Sequence, residues 1–189
     1  NTATKYNGGG IYADYANLTI SGGSITGNKA PNGNGGGVFA DKRSFTMTGG
    51  TIGGTGTDDA NTSVNGGGVY VTCSRDTTIV KMSGSAKIVG NTATARGGGA
   101  YVCGKSGPYS NYTSTFALSG NAKITGNTAD ASATGDNGAG GGVYIDEYGT
   151  FNMNGGEIKS NTAETTGGGV FVTKTSSSRN SVFTMNGGA

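Results

Sequence analysis

The triplet Gly-Gly-Gly begins at Gly8, Gly35, Gly66, Gly97, Gly140 and Gly167, and a short apolar word such as Val69-Tyr70-Val71 follows it. The starts are 27, 31, 31, 43 and 27 residues apart. A unit of about 27 residues that absorbs insertions without losing its phase is the signature of a stacked-coil architecture. The opening Asn1-Thr2-Ala3 matches the unit ends at Asn91, Asn127 and Asn161, and the last residues stop in mid-unit. The 189 residues therefore read as one β-helix domain, 1–189, excerpted from a longer array.

Laying the units under one another gives three strand words. The first runs through Ile11-Tyr12-Ala13, Val38-Phe39-Ala40, Val69-Tyr70-Val71, Ala100-Tyr101-Val102, Val143-Tyr144-Ile145 and Val170-Phe171-Val172. The second runs through Leu18-Thr19-Ile20, Phe45-Thr46-Met47, Val80-Lys81-Met82, Phe116-Ala117-Leu118, Phe151-Asn152-Met153 and Phe183-Thr184-Met185. Both alternate with period two, as strands with one buried face do. A third word carries a single apolar residue, Ile25, Ile52, Ile88, Ile124 or Ile158. Three strands returning to the same phase predict a parallel β-helix of about six coils with three strands per coil, right-handed as parallel crossovers are. Three residues after the third-word isoleucine stands Asn28, Asn91, Asn127 or Asn161, with Thr55 breaking the series. Such a column predicts an asparagine ladder between coils.

Composition excludes several functions. Net charge is +2, with 13 basic and 11 acidic residues and no runs, so no polybasic stripe is offered to nucleic acid. No apolar stretch reaches the length of a membrane span, so this segment is not expected to insert directly into a membrane. The chain has no histidine, which removes Ser-His-Asp and Cys-His nucleophile systems and the commonest metal ligand. No cofactor is implied. Abundant Asn, Thr, Ser and Gly with few charges point to a secreted or cell-surface, extracellular location.

The pattern Gly-Gly-Gly-Val-Tyr-Val, then Phe-Thr-Met-Asn-Gly-Gly, then an isoleucine followed by Gly-Asn-Thr-Ala, resembles the glycine-rich repeat regions of large bacterial surface proteins with right-handed β-helix folds. It is similar, more loosely, to the repeats of polymorphic outer-membrane autotransporter adhesins. The resemblance implies a non-enzymatic adhesin or spacer whose partners are host or neighbouring-cell glycans or proteins. The alternative is a carbohydrate-active β-helix enzyme, a polysaccharide lyase or hydrolase built on carboxylates or on calcium with a Lys or Arg base.

Candidate binding residues are the aromatic column Tyr12, Phe39, Tyr70, Tyr101, Tyr144 and Phe171. Each stands between aliphatic residues, so the rings face outward if the aliphatics face inward, and an exposed stripe could stack on sugars. The inverse assignment, with rings in the core, is the other possibility. Tyr109 and Tyr112 lie in an insertion at 105–112, one of several longer connectors, where binding groups often reside. Asp14 and Asp41 occupy equivalent places in adjacent coils and form a weak candidate cation site, against the reading that they are ordinary turn-formers. Cys73 and Cys103 fall in consecutive coils and would be either a disulfide or two partly buried thiols. Outward threonines such as Thr19, Thr46 and Thr184 raise ice binding as a minor alternative, although Lys81, Ala117 and Asn152 interrupt that column.

Overall fold

The computed structural model describes residues 1–106, 111–131, 138–173 and 180–189, apart from the side chains of 105, 106 and 111. It is an all-β parallel solenoid, with no helix among the described residues. A first sheet joins Ile11–Asp14, Val38–Asp41, Val69–Thr72, Ala100–Val102, Val143–Ile145 and Val170–Val172. A second joins Leu18–Ile20, Ser44–Met47, Thr78–Met82, Ser114–Leu118, Gly149–Asn154 and Val182–Gly187. A third joins Ser24–Ile25, Thr51–Gly53, Lys87–Val89, Lys123–Thr125 and Glu157–Lys159.

The fourth sheet corrects the expectation of three strands per coil. Lys29–Asn34, Thr62–Asn65, Thr92–Arg96, Thr128–Ala129 and Thr162–Ala163 pair in parallel along the run expected to be an asparagine corner. Its inward residues, Ala30, Ser63, Ala93 and Ala129, are small and nearly or wholly buried. That alternation carries too little apolar bulk to read as a strand, and backbone pairing between neighbours holds it in place.

The glycine triplet makes this geometry possible for three separate reasons. The first glycine of every triplet is left-handed, with φ of 71, 68, 63, 67, 68 and 65° at Gly8, Gly35, Gly66, Gly97, Gly140 and Gly167. At the second, a Cβ on Gly36 would lie 2.5 Å from the Gly67 carbonyl oxygen and 2.7 Å from that of Thr62. At the third, a Cβ on Gly68 would lie 2.8 Å from Ile88 Cγ2 and 2.9 Å from Asn91 Nδ2. The triplet turns the chain into the first sheet, lets coils approach, and leaves room for the buried amide beneath.

Inside, like stacks on like. Val38, Val69, Ala100 and Val143 from the first sheet meet Phe45, Val80, Phe116 and Phe151 from the second and Ile52, Ile88 and Ile124 from the third in one apolar cluster. Phe116 and Phe151 stack at 5.1 Å between ring centroids. No coil could bury this surface alone, so stability comes from neighbour contacts.

The asparagine ladder runs through this core, and its gap is filled by a residue the spacing rule passes over. Asn61, not Thr55, occupies the rung, after a connector that shifts the spacing. Asn1, Asn28, Asn61, Asn91 and Asn127 each donate from Nδ2 to the Oδ1 of the next rung, ending at Asn161, at 2.9, 2.9, 2.8, 3.0 and 3.0 Å. The same Oδ1 atoms accept the backbone N–H of Asn28, Asn61, Asn91 and Asn127. The second Nδ2 hydrogen of Asn61, Asn91, Asn127 and Asn161 goes to the carbonyl of Ile25, Ile52, Ile88 and Ile124. These amides are thus satisfied in a site that would heavily penalise an orphan.

Candidate functional site

The aromatic column lies on the side of the first sheet opposite the main core, yet it is largely shielded from water. Ring centroids from Tyr12 through Phe39, Tyr70 and Tyr101 to Tyr144 are 4.9, 5.3, 4.9 and 5.0 Å apart, with planes within 9° of parallel. Phe171 continues the stack at 5.1 Å, tilted by 34°. Register dictates this: Tyr12, Phe39, Tyr70, Tyr101, Tyr144 and Phe171 are directly opposed on adjacent parallel strands. Each interior ring has both faces covered by its neighbours. Phe39, Tyr101 and Tyr144 are only 5, 6 and 5% exposed, whereas Tyr12, at the edge of the sheet, is 53% exposed. Ala139 packs on the column, and the Arg96 guanidinium stands over the Tyr144 ring at 5.6 Å.

The tyrosine hydroxyls reach one coil forward to residues at the end of the strand. Tyr70 Oη lies 3.4 Å from Cys103 Sγ, and Tyr101 Oη donates to Asp146. Burial, followed by the neighbouring Cys103 and Asp146, pushes both phenols above their ordinary range. The column is therefore a second, smaller core on the outer side of the sheet. Tyr12, at the edge of the sheet, is the one ring of the column more than half exposed and so open to stacking on a sugar.

Tyr112 is half-buried in a short antiparallel ribbon formed by Lys105–Ser106 and Asn111–Tyr112. Tyr109 lies outside the described residues. At the base of the ribbon Gly104 packs against Tyr148, a buried residue with φ of 57° that the strand pattern gives no reason to notice.

Cys73 and Cys103 are not joined in a disulfide. Cys103 follows Val102, which pairs with Val71, so Cys103 is level with Thr72 and Cys73 lies one residue further on. Successive side chains alternate across a strand, which directs the two sulfurs to opposite faces. Burial pushes the Cys103 thiol up to about 11.

Asp14 and Asp41 are opposed in register, as their spacing implies, and a cation of the chain itself sits between them. Lys42 Nζ is 2.8 Å from Asp14 Oδ1 and 3.1 Å from Asp41 Oδ2, and stands 4.3 Å from the centre of the Tyr15 ring. Asp41 also accepts the Ser74 N–H and Oγ at 2.9 and 2.8 Å. Burial opposes the charge on Lys42, but hydrogen bonds and attraction from the two carboxylates outweigh it, and its pKa is raised. Lys42 has a left-handed φ of 61°, which turns the side chain back over the preceding strand; sequence reasoning missed it for that reason. Among the described residues no group of three or more Cys, Asp or Glu is placed to hold a metal ion.

Two outward faces complete the surface. On the fourth sheet Thr62, Thr92, Thr128 and Thr162 form a column in register, which Lys29 continues opposite Thr62. On the third sheet Ser24, Thr51, Lys87, Lys123 and Glu157 form another, beside a polar groove. Comparison with protein-family models, curated proteins and solved structures gave no match.

Proposed function

We propose that this chain is a stiff, non-enzymatic segment of a bacterial secreted or cell-surface protein, a spacer that presents flat polar faces to glycan or protein partners outside the cell. The observation that carries the reading is the use made of its acidic groups. Asp14 and Asp41 clamp Lys42, Asp146 accepts Tyr101 and the Glu147 N–H, Asp59 caps the Gly56 N–H, and Glu157 pairs with Lys123. Carboxylates engaged in holding corners and loops are poor candidates for paired acid and base catalysis, which needs two of them facing a common substrate.

The six strands in each of the first two sheets favour six coils, and the general preference of parallel crossovers favours a right-handed path. The aromatic column and the asparagine ladder stiffen this rod, and the contact groups lie on the outer faces of the other sheets. A screen of the intact chain against a broad set of glycans and candidate surface proteins tests the reading. Specific binding without turnover of any polysaccharide supports it; cleavage of a polysaccharide would overturn it. Ice binding has one observation in its favour, the threonine column of the fourth sheet, and a thermal-hysteresis measurement decides it.

A further inference from the structure

The outer face of the third sheet is a groove of about 580 Å³, bounded on one side by the connector that contains Gly54, Thr55 and Asp59. Its floor is made by directly paired strands, with Ser24 opposite Thr51, Thr51 opposite Lys87, and Lys87 opposite Lys123. Those three steps span roughly 14 Å at the usual strand separation. Thr125 and Thr55 add further hydroxyls to the lining. A Cβ on Gly53 would collide with Asn91 Oδ1 and one on Gly54 would lie 2.5 Å from Asp59 Oδ2, so glycine at these positions lets the connector fold closely against the ladder and its own rim. Asp59 is the one acid of the lining, and its Oδ2 accepts the Gly56 N–H at 2.9 Å, so it serves its own turn.

Two lysines, Lys87 and Lys123, line this face. Stacked one strand spacing apart, they repel each other, and Lys123 is relieved by Glu157 at 2.6 Å. Lys87 is exposed and has no acidic partner among the described residues. A ligand that satisfies this site needs an anionic group for Lys87 and many hydroxyls for the Ser and Thr rows. Resting on the reading of the chain as a surface-binding segment, we propose that this groove binds an acidic glycan, a chain of sugars bearing carboxylate or sulfate groups, with Lys87 as the anion contact and Ser24, Thr51 and Thr125 as hydroxyl partners. Sugar hydroxyls both donate and accept, as do the serine and threonine side chains that line the face. An acidic peptide would supply the anion but leave the hydroxyl rows without matching partners.

The test is calorimetric titration of the intact chain with a galacturonic acid hexamer, a chondroitin sulfate hexasaccharide and cellohexaose as the neutral control. Binding of at least one acidic oligosaccharide is expected, weakening as salt is raised, with the neutral chain inert. K87Q is expected to weaken it by about threefold or more and K87E by about tenfold or more, as loss or reversal of one exposed ion contact implies. K81Q, on the second sheet, is expected to leave it unchanged. The two acidic probes identify the anion. Failure of both acidic probes to bind, equal binding of the neutral one, or affinity unaltered in K87E would overturn the assignment. If K87E leaves binding of some other glycan intact, the groove assignment falls while the surface-binding reading stands; if the broad screen also yields nothing, the binding part of that reading falls with it.

Discussion

Replacing Asn91 by leucine removes a rung from the middle of the ladder at nearly constant volume. Asn91 Nδ2 donates to Asn127 Oδ1 at 3.0 Å and to the Ile52 carbonyl at 3.0 Å, while its Oδ1 accepts Asn61 Nδ2 at 2.8 Å and the Asn61 N–H at 3.3 Å. In the variant the Asn61 N–H loses that acceptor in a place where Asn61 and Asn91 are both 0% exposed. The Ile52 carbonyl loses its side-chain donor, and Asn61 Nδ2 keeps only its bond to Ile25. Each buried polar group left unsatisfied costs about 1–3 kcal/mol, so with three groups affected the variant should lose about 3–9 kcal/mol. Leucine also presses on Gly68, where a Cβ would already be 2.9 Å from Asn91 Nδ2. The control is Asn32→Leu: Asn32 is exposed and makes one bond, to the Thr4 carbonyl at 2.9 Å. It should lose under about 1 kcal/mol. Urea unfolding followed by circular dichroism compares them, with hydrogen exchange showing whether coils on either side of residue 91 open first. Equal stability of the two variants would refute the ladder as a buried structural element.

Lys42→Met leaves Asp14 and Asp41 facing each other without their cation and should destabilise by about 1–3 kcal/mol, discounted for the partial exposure of Asp14; adding Asp41→Asn should recover part of it, as a double-mutant cycle would show. Tyr70, Tyr101, Cys103 and Lys42 all hold their protons more tightly folded than unfolded. The unfolded chain releases those protons from about pH 8.5 to 10.5, so the urea midpoint should fall as pH rises above about 9; a midpoint unchanged up to about pH 11 would contradict the burial of these groups. Both thiols should resist a disulfide reagent in the folded protein and react in denaturant, two per chain, whereas fewer than two would mean a bridge. Gly68→Ala should abolish folding or cost several kcal/mol, while Gly22→Ala, whose Cβ would meet nothing within 4 Å, should be tolerated when thermal unfolding is compared.

The apolar strands were legible because Phe45-Thr46-Met47 and its equivalents put large side chains on one face, a contrast that period-two alternation exposes. The fourth strand was hidden because Thr92-Ala93-Thr94 alternates a methyl group with a hydroxyl, and hydrogen bonding to the coils above and below decides it. Asn61 was hidden because its connector places it away from the position three residues after Ile52, and the ladder selects for geometry rather than spacing. The outward direction of the aromatic rings follows from alternation. Their burial does not, since it depends on the rings stacking face to face and on Ala139 and Arg96 arriving from elsewhere in the chain. Stacked aspartates could be read from Asp14 and Asp41, but the cation between them needed the left-handed backbone at Lys42. The basic groove was missed for a related reason: Lys87 and Lys123 meet only once the third-sheet register is known.

The coils stack in register along one axis. Thr19, Thr46, Lys81, Ala117, Asn152 and Thr184 form one column of the second sheet, so Thr19 and Thr184 are five strand steps apart. Spin labels at these two positions, on a background without Cys73 and Cys103, measure that separation by pulsed electron resonance. A narrow distribution centred on backbones roughly 24 Å apart is expected, five times the strand spacing. A broad distribution, or one centred well beyond 40 Å, would contradict the solenoid.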